Sequence, residues 1–233
     1  MAHLTGRQRA AYVQDMFTRI AGRYDVMNRL MTFGQDQSWR KEVIHRAAIT
    51  PGSRVLDLGA GTGDIALEIR ARQPQAVLLA ADFTIEMMRV GQKRDGGDTL
   101  DWCAADALNL PYATEAFDAV VSGFLMRNVS DLPRALAEQR RVLKPGGRIV
   151  ILDTTRPPEN ILAPFIRFHL NKIIPTLGRM IAGDSEAYTY LPDTTKGFLS
   201  AEELAVRMID ASFKEIGFKR LMFGTIAIHW GRK

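Results

Sequence analysis

Three glycines alternate across five positions of VLDLGAGTGD (residues 55–64), directly after an apolar run. Such a turn lets the backbone approach a ligand closely, at the start of a helix that attracts negative charge. In the dinucleotide-binding pattern GxGxxG the sixth position is glycine, but here it is Asp64, which would repel a pyrophosphate. The turn Gly59–Gly63 therefore favours a ligand carrying a zwitterionic amino acid, with its ammonium on Asp57 and its carboxylate on backbone N–H groups.

Two more carboxylates follow apolar, strand-like runs. Asp82 ends AVLLAAD, 19 residues beyond Gly63, at the position where a ribose diol is bound in nucleotide-binding sheets. Asp106 in AADALNLP ends the next strand and is placed to accept a hydrogen bond from an adenine amino group. Taken singly, each aspartate could cap the helix that follows it. Three acids without a lysine together favour a cationic nucleoside that lacks phosphate, and S-adenosylmethionine fits that description.

The elements that position these residues alternate along the chain. From about residue 50, the strand-like runs RVLDLG, AVLLAAD and LDWCAAD are separated by segments of helical periodicity. FDAVVSG is predicted as a fourth strand and GGRIVILD as a fifth, with a helix between them from Asp131 to Val142 and Asp131 as the N-cap of that helix. This alternation predicts a parallel sheet with right-handed crossovers.

The regular alternation ends after Asp153. Residues 154–199 hold five of the ten prolines and an amphipathic stretch at 161–183, and are predicted to form an insertion over the carboxyl edge of the sheet. A final helix is predicted over 201–216, followed by two strands that add an antiparallel hairpin. We therefore expect one domain: a helical cap (1–49), a cofactor-binding half (50–153), an acceptor-side insertion (154–200), and a final helix and hairpin (201–233).

The segments VLDLGAGTGD, LLAADF, AADALNLP and RVLKPGGRIVILD resemble the successive motifs of class I S-adenosylmethionine-dependent methyltransferases. The resemblance implies a Rossmann-like, mostly parallel seven-stranded sheet that binds S-adenosylmethionine. It also implies the cofactor-binding residues, which are Asp57, Gly59, Gly61, Thr62, Gly63, Asp82, Phe83, Asp106, Ala107 and Ser122.

Segments outside the cofactor-binding half resemble one branch of that class. The stretch FTRIAGRYDVMNRLMTFGQDQSWRKEV, together with GFLMRNVSD, YTYLPDTTKGF and AIHWGRK, is similar to the quinone-ring C-methyltransferases of menaquinone and ubiquinone biosynthesis. This implies methyl transfer to a ring carbon of a prenylated quinol, with Tyr24 closing over the cofactor. LDTTRPP departs from the family's usual sequence after the fifth strand, so another lipid or a phenolic small molecule stays an alternative acceptor. A non-catalytic nucleoside-binding or RNA-binding module is a third hypothesis.

The acceptor chemistry selects a few polar residues. A quinol ring carbon becomes nucleophilic when the neighbouring hydroxyl loses its proton, so the site needs a proton acceptor and a group that stabilises an oxyanion. Arg127 and Asn128, just beyond the fourth strand, suit the second task. Asp25 and Asn28 are three positions apart on a predicted helical turn and could face the same pocket. Either Asp25 or a water held by Arg127 and Asn128 would take the proton. Two further substrate-binding candidates lie in the insertion, His169 and Tyr190.

The charge distribution bears on partners. The net charge is +5, and both ends are basic, with eight Lys/Arg against four Asp/Glu in residues 1–48. This charge alone does not identify a partner. The insertion places Arg167, Lys172 and Arg179 among apolar residues, so it is a candidate contact with an anionic membrane surface, the alternative being that its apolar face completes the core. Nucleic acid is not expected, because no stripe of basic residues is interleaved with aromatic ones. Exposed apolar residues of the cap leave a homodimer open.

The cysteine and histidine content and the apolar runs indicate whether to expect disulfides, a metal site or a membrane segment. The single cysteine, Cys103, and four scattered histidines predict neither disulfides nor a metal site. The N-terminus lacks the apolar region of a signal peptide, and no apolar run is long enough to span a bilayer. The expected location is cytoplasmic, with peripheral association at the inner face of the membrane as an option.

Overall fold

A computed structural model describes residues 6–156 and 197–233, together with residues 164, 173, 176, 194 and 195. The described chain begins with a helical cap consisting of α1 (Gly6–Ile20), a 3-10 turn (Ala21–Arg23), α2 (Tyr24–Met31) and α3 (Asp36–Ala47). Met27 and Met31 of α2, and Trp39 and Val43 of α3, are buried at a spacing of four residues. This spacing puts the apolar side chains of each helix on one face, which packs inward.

Seven strands form one sheet. They are β1 (Arg54–Leu58), β2 (Val77–Asp82), β3 (Asp101–Ala104), β4 (Phe117–Gly123), β5 (Leu143–Thr154), β6 (Lys214–Leu221) and β7 (Ile226–Arg232). Their order in the sheet is β3-β2-β1-β4-β5-β7-β6. The first five strands pair in parallel, while β7 pairs antiparallel with both β5 and β6. The predicted seven-stranded, mostly parallel sheet with a C-terminal antiparallel hairpin is confirmed.

Helices cover both faces of the sheet, which explains why its central strands are apolar almost without interruption. The connecting helices are α4 (Asp64–Arg72), α5 (Ile85–Gln92), α6 (Leu132–Val142) and, after the insertion, α7 (Ala201–Asp210). One buried cluster includes Trp39 and Ile69, and a second includes Leu136 and Leu204. The cap and α4 share the first cluster, and α6 and α7 share the second.

The functional candidates gather at one edge of the sheet. Strands β1, β2 and β4 are parallel and end at Leu58, Asp82 and Gly123, so the segments that follow them meet at the carboxyl edge. The strand order reverses at β1, which has β2 on one side and β4 on the other. In open α/β sheets, ligands bind in the crevice at this point of reversal.

Helix ends agree with the sequence in two places and differ in one. The Asp131 side chain caps α6 by accepting from the Arg134 N–H at 3.0 Å, as predicted. Ser200 and Glu203 form a reciprocal capping box at the start of α7. However, α7 ends at Asp210 rather than near 216, because Ser212 adopts a positive φ of 64° and the chain turns into β6.

The predicted insertion lies almost wholly outside the described residues, as do His169 and Tyr190. Of the helices in the described ranges, none combines the length and apolarity needed to cross a bilayer.

Candidate functional site

The glycine turn after β1 depends on backbone conformations that side chains disfavour. Gly59, Gly61 and Gly63 have φ values of 69°, 58° and 83°. A Cβ on Gly63 would also lie 2.7 Å from the Trp102 ring, so this glycine allows α4 to pack against β3. Gly59 and Gly61 line the cavities described below, whereas Gly63 does not and serves packing.

Most N–H groups of the turn donate inside the protein. Those of Gly59 and Ala60 donate to the Ala81 carbonyl, and that of Gly63 donates to the Ala60 carbonyl. The Gly61 N–H donates to Asp82 Oδ2 at 2.7 Å. These bonds hold the turn against β2. Backbone N–H groups of the turn were predicted to bind the carboxylate of the ligand, but in the structure these four N–H groups already donate to protein atoms.

Asp82 connects the turn to the start of α5. Its Oδ1 accepts from the Thr84 N–H at 2.7 Å, while Oδ2 holds Gly61. Burial raises the pKa of the Asp82 carboxyl, and these backbone hydrogen bonds oppose the rise. Each oxygen keeps a second lone pair, so the carboxylate can organise the turn and still accept from a ligand hydroxyl.

Asp57 is the most buried acid of the turn, at 2% exposed. Its Oδ2 accepts from the Ala66 N–H at 3.0 Å, whereas Oδ1 is buried and has no partner among the described residues. Burial raises the pKa of Asp57 to about 7, opposed by the Ala66 bond and increased by the charges of Asp82 and Asp64. A buried carboxylate oxygen without a partner suits a cationic ligand group.

Two adjoining cavities open at this edge and share Tyr24, Gly59, Gly61, Gly123 and Phe124. The polar cavity has a volume of about 430 Å³ and is lined by Asp57, Thr62, Asp64, Arg40 and Asn28 besides the shared residues and smaller apolar contacts. The apolar cavity has a volume of about 590 Å³ and includes Leu58, Phe83, Met87, Ala105, Ala107 and Leu125, with Asp82 among them. The pair forms a groove with one polar and one apolar half.

Of the four remaining cofactor candidates, two line the apolar cavity and two do not. Phe83 lines it with a ring that is 44% exposed, and Ala107 lines it as a buried residue. Asp106 is exposed just beyond β3, and its Oδ1 accepts from the Leu108 N–H at 2.9 Å. Ser122 lines neither cavity, because its hydroxyl is buried within the sheet without a hydrogen bond to the described residues.

Asp64 shares its cationic partners with two other carboxylates. It pairs with Arg40 at 2.5 Å and with Arg94 at 2.7 Å. Arg40 also pairs with Asp36, and Arg94 with Asp25, so two guanidinium groups serve three carboxylates and offset the charge of Asp64 only in part. The buried carboxyl of Asp57 and the half-buried carboxyl of Asp82 add to the acidic character of the turn, which disfavours a pyrophosphate.

Asp25 is turned toward the glycine turn rather than into either cavity. Its Oδ1 accepts from the Thr62 hydroxyl at 2.6 Å, and its Oδ2 lies 3.1 Å from Arg94. Burial raises the pKa of Asp25, and the Thr62 hydrogen bond opposes the rise. Neither cavity is lined by Asp25, which instead joins the cap to the glycine turn, and its role as a proton acceptor stays a prediction.

Tyr24 and Asn28 lie at the junction of the cavities. Tyr24 lines both, Asn28 lines the polar one, and the two side chains are hydrogen-bonded. Burial of the Tyr24 hydroxyl raises its pKa, while the bond to Asn28 and the positive charge of Arg127 oppose the rise. The Arg127 charge is therefore close enough to act electrostatically on this hydroxyl.

Arg127 takes part in a buried ion pair. Its Nη1 lies 2.7 Å from Asp153 Oδ1, and its own N–H donates to Asp153 Oδ2 at 3.2 Å. The two side chains are 4% and 1% exposed, and Arg127 Nε is buried without a partner among the described residues. Asn128 lines the apolar cavity, and its Nδ2 donates to the Phe124 carbonyl at 3.0 Å.

The comparisons with known proteins agree with this geometry. The sequence profile of the ubiE/COQ5 methyltransferase family matches residues 5–233. The chain belongs to the ubiE/COQ5 methyltransferase family. The ubiquinone/menaquinone biosynthesis C-methyltransferase UbiE of Desulfotalea psychrophila is 49% identical over 95% of this chain and 90% of its own length. A demethylmenaquinone methyltransferase of Roseiflexus castenholzii is 39% identical over 97% of this chain and 95% of its own.

Solved structures share the fold of this ubiE/COQ5-family chain. A Thermotoga maritima S-adenosylmethionine-dependent methyltransferase, a possible histamine N-methyltransferase, gives a TM-score of 0.65 at 20% identity, covering 94% of this chain and 99% of its own. The predicted Rossmann-like methyltransferase fold is confirmed. As a ubiE/COQ5-family methyltransferase, the enzyme uses S-adenosylmethionine as its methyl donor. The unpaired Asp57 oxygen and the half-polar, half-apolar groove fit that donor.

Sequence reasoning about this ubiE/COQ5-family enzyme missed several site residues. Arg40 comes from α3 and Arg94 from the turn two residues after α5, and nothing in their local sequence sets them apart from surface arginines. Asp153 lies at the end of the predicted fifth strand and within the departure LDTTRPP, and its position at a strand end was a usable signal. Phe124 follows the predicted fourth strand and has a φ of 59°, a strained conformation that only the structure reveals. Among the described residues, no group of three or more His, Cys, Asp or Glu side chains is placed to hold a metal ion.

Proposed function

We propose that this enzyme transfers a methyl group from S-adenosylmethionine to a ring carbon of a prenylated quinol, a demethylmenaquinol or a related benzoquinol. The observation that carries the proposal is the hydrogen-bonded pair of Tyr24 and Asn28, which line the groove, with the buried positive charge of Arg127 acting on the Tyr24 hydroxyl from behind the cavity wall. A hydroxylated ring needs such polar groups beside the methyl donor. The names of the two relatives described above support a quinol as the acceptor.

The groove suggests how the donor is held. In our proposal Asp57 binds its ammonium group and Asp82 binds its ribose hydroxyls, while Phe83 and Ala107 pack against the adenine. Asp106, exposed two residues beyond β3, accepts from the adenine amino group. The shared glycines lie between the two halves, and Thr62 lines the polar half.

The donor carries its methyl group on a cationic sulfur. When the methyl group is transferred, the sulfur leaves as part of a neutral thioether. On the acceptor, loss of the hydroxyl proton places negative charge on the oxygen and on the neighbouring ring carbon. We propose that Arg127 stabilises this oxygen, while Tyr24, Asn28 and Asn128 orient it. The new carbon–carbon bond forms as the carbon–sulfur bond breaks, and the ring carbon then releases its hydrogen as a proton. Because Asp25 contacts Thr62 and Arg94, we assign the first proton to a water beside Arg127 and Asn128.

The acceptor assay tests the proposal. The enzyme is incubated with methyl-labelled S-adenosylmethionine and a panel of demethylated naphthoquinols and benzoquinols, with and without a reductant, and mass spectrometry locates the new methyl. We expect methylation of a ring carbon that depends on the reductant, because an oxidised quinone ring is electrophilic. Methyl transfer to a nitrogen or oxygen of another lipid or phenol, with none to any quinol, would contradict the proposal and favour the alternative acceptor class.

A further inference from the structure

The polar half of the groove contains one cation among its described lining residues, and that residue is Arg40. Arg40 belongs to α3 of the cap, so the cap contributes this cation to a groove that is otherwise built mainly on the strand ends. Its side chain is 14% exposed. The cavity therefore contains one largely buried guanidinium and the carboxyl of Asp57. These two side chains are complementary to the carboxylate and the ammonium group of an amino acid, respectively.

The hydrogen bonds of Arg40 leave part of its guanidinium available. Both of its ion pairs use the same nitrogen, Nη2, which lies 2.7 Å from Asp36 Oδ2 and 2.5 Å from Asp64 Oδ2. Arg40 makes no hydrogen bond through Nε or Nη1 to the described residues. The two carboxylates therefore fix the side chain while two of its nitrogens keep their donors.

The glycine turn, by contrast, has few donors left. The N–H groups of Gly59, Ala60 and Gly63 donate to carbonyls, and that of Gly61 donates to Asp82. A carboxylate bound in this cavity needs donors, because an uncompensated anion near Asp57 and Asp64 would be destabilising. A guanidinium is well matched to a carboxylate, since its planar donors can form two parallel hydrogen bonds.

We propose that Arg40 binds the carboxylate of the methionyl part of S-adenosylmethionine through Nε and Nη1. Asp57 binds the ammonium group in the same cavity, so the cap and the sheet each hold one charge of the amino acid. The inference rests on the use of S-adenosylmethionine and extends it to a residue of the cap. It makes α3 part of the donor site and gives the cap a direct role in binding.

Calorimetry with two ligands tests the proposal. S-adenosylmethionine and its decarboxylated analogue share the adenosine, the sulfonium and the ammonium, and differ in the carboxylate. In Arg40→Met we expect affinity for S-adenosylmethionine to fall on the order of 10- to 100-fold, because a charged hydrogen bond is lost. Affinity for the decarboxylated analogue should stay within about twofold of the wild-type value.

Arg94→Met is the matched control. Arg94 also pairs with Asp64, at 2.7 Å, but it does not line the polar cavity. We expect it to change the affinities for the two ligands by the same factor. Arg40→Lys keeps the charge without the planar donors, so its ratio of the two affinities should lie between those of the wild type and Arg40→Met, which keeps the test decisive if Arg40→Met does not fold.

The outcomes separate this inference from the cofactor assignment. An equal loss for both ligands in the Arg40 variants would show that Arg40 acts only through Asp36 and Asp64, and would overturn the proposal while leaving the donor unchanged. Failure of the folded wild-type protein to bind either ligand would overturn the donor assignment and this proposal together.

Discussion

At the scale of single residues, the raised pKa of the Asp57 carboxyl makes ligand binding depend on pH. This carboxyl is buried, and its pKa is raised to about 7. We predict that affinity for S-adenosylhomocysteine, the demethylated product, rises as the pH increases through 7, because only the ionised carboxylate attracts the ligand ammonium. The ionised fraction increases from roughly one tenth at pH 6 to roughly three quarters at pH 7.5, so affinity should rise roughly eightfold.

Calorimetry across this pH range measures the effect, and Asp57→Asn is the control. The asparagine keeps an acceptor for the Ala66 N–H but does not titrate, so the affinity of this variant for S-adenosylhomocysteine should be low and independent of pH.

The raised pKa of Asp57 also affects stability. The folded protein holds this proton more tightly than the unfolded chain, so the free energy of unfolding without ligand should fall between about pH 4 and pH 7. For the binding prediction, a wild-type affinity for S-adenosylhomocysteine that does not change with pH would be the contradicting result.

Arg127 has two roles that a single substitution would not separate. Its guanidinium is proposed to act on the acceptor, and it also forms a buried ion pair with Asp153. Breaking a buried pair by removing one partner destabilises a protein by about 3–5 kcal/mol. We therefore predict that Arg127→Met loses both stability and turnover, with turnover falling on the order of 100-fold or more.

The double variant Arg127→Met/Asp153→Asn separates the two effects, because it leaves no unpaired buried charge. Urea unfolding should show that stability recovers, whereas turnover should remain low if the positive charge acts on the acceptor. Recovery of turnover along with stability would reduce Arg127 to a structural role. Affinity for S-adenosylmethionine should change little in both variants, since neither residue lines the cavities.

At the scale of elements, the cap is joined to the glycine turn through Asp25. This residue of α2 accepts from the Thr62 hydroxyl and pairs with Arg94, two residues beyond the end of α5. We predict that Asp25→Ala increases the hydrogen-exchange rates of the α2 amides and leaves those of β1 and β4 unchanged. The reason is that a local contact is lost while the core stays packed.

Asp25→Asn distinguishes this role from general-base catalysis. The asparagine can still accept from Thr62, so the cap should stay in place and turnover should remain within about threefold of wild type. A general base replaced by an amide would instead lose turnover on the order of 100-fold or more. A loss of that size in a folded Asp25→Asn protein would restore Asp25 as the base.

At the scale of the whole molecule, the cap presents an exposed apolar surface, which we call the cap surface: Val26, Leu30 and Phe33, at 56%, 42% and 69% exposure. We propose that the cap surface rests on an anionic membrane, from which a long-tailed quinol is drawn. We predict that the protein co-sediments with vesicles containing phosphatidylglycerol, that salt weakens the binding, and that Val26→Ser/Leu30→Ser reduces it roughly tenfold.

The matched control is Val206→Ser/Ile209→Ser, which removes two equally exposed aliphatic side chains, at 52% and 59%, from α7. This variant should bind vesicles as the wild type does. Equal binding to neutral and anionic vesicles would argue against an electrostatic contribution. Dimerisation through the same surface is the competing outcome, and a change of sedimentation coefficient in the cap-surface variant without vesicles would favour it.

The sequence by itself determined the elements and the cofactor. Apolar runs alternating with helical segments specify a parallel sheet, and the strand-end acids Asp57, Asp82 and Asp106 specify a cationic nucleoside, because strand ends meet at one edge whatever the detailed packing. The same local logic placed the Asp131 cap correctly. It did not place the end of α7, because the positive φ of Ser212 has no signal in the residue type.

Only the tertiary structure decided which partner each charged side chain has. Asp25, a candidate for the acceptor side, contacts Thr62, Asp64 pairs with Arg40 and Arg94, and Arg127 pairs with Asp153. These partners are contributed by different elements, far apart along the chain. Periodicity along a sequence reports which face of an element is buried, but the pairing of long charged side chains depends on how separate elements approach one another, and that is fixed only when the chain has folded.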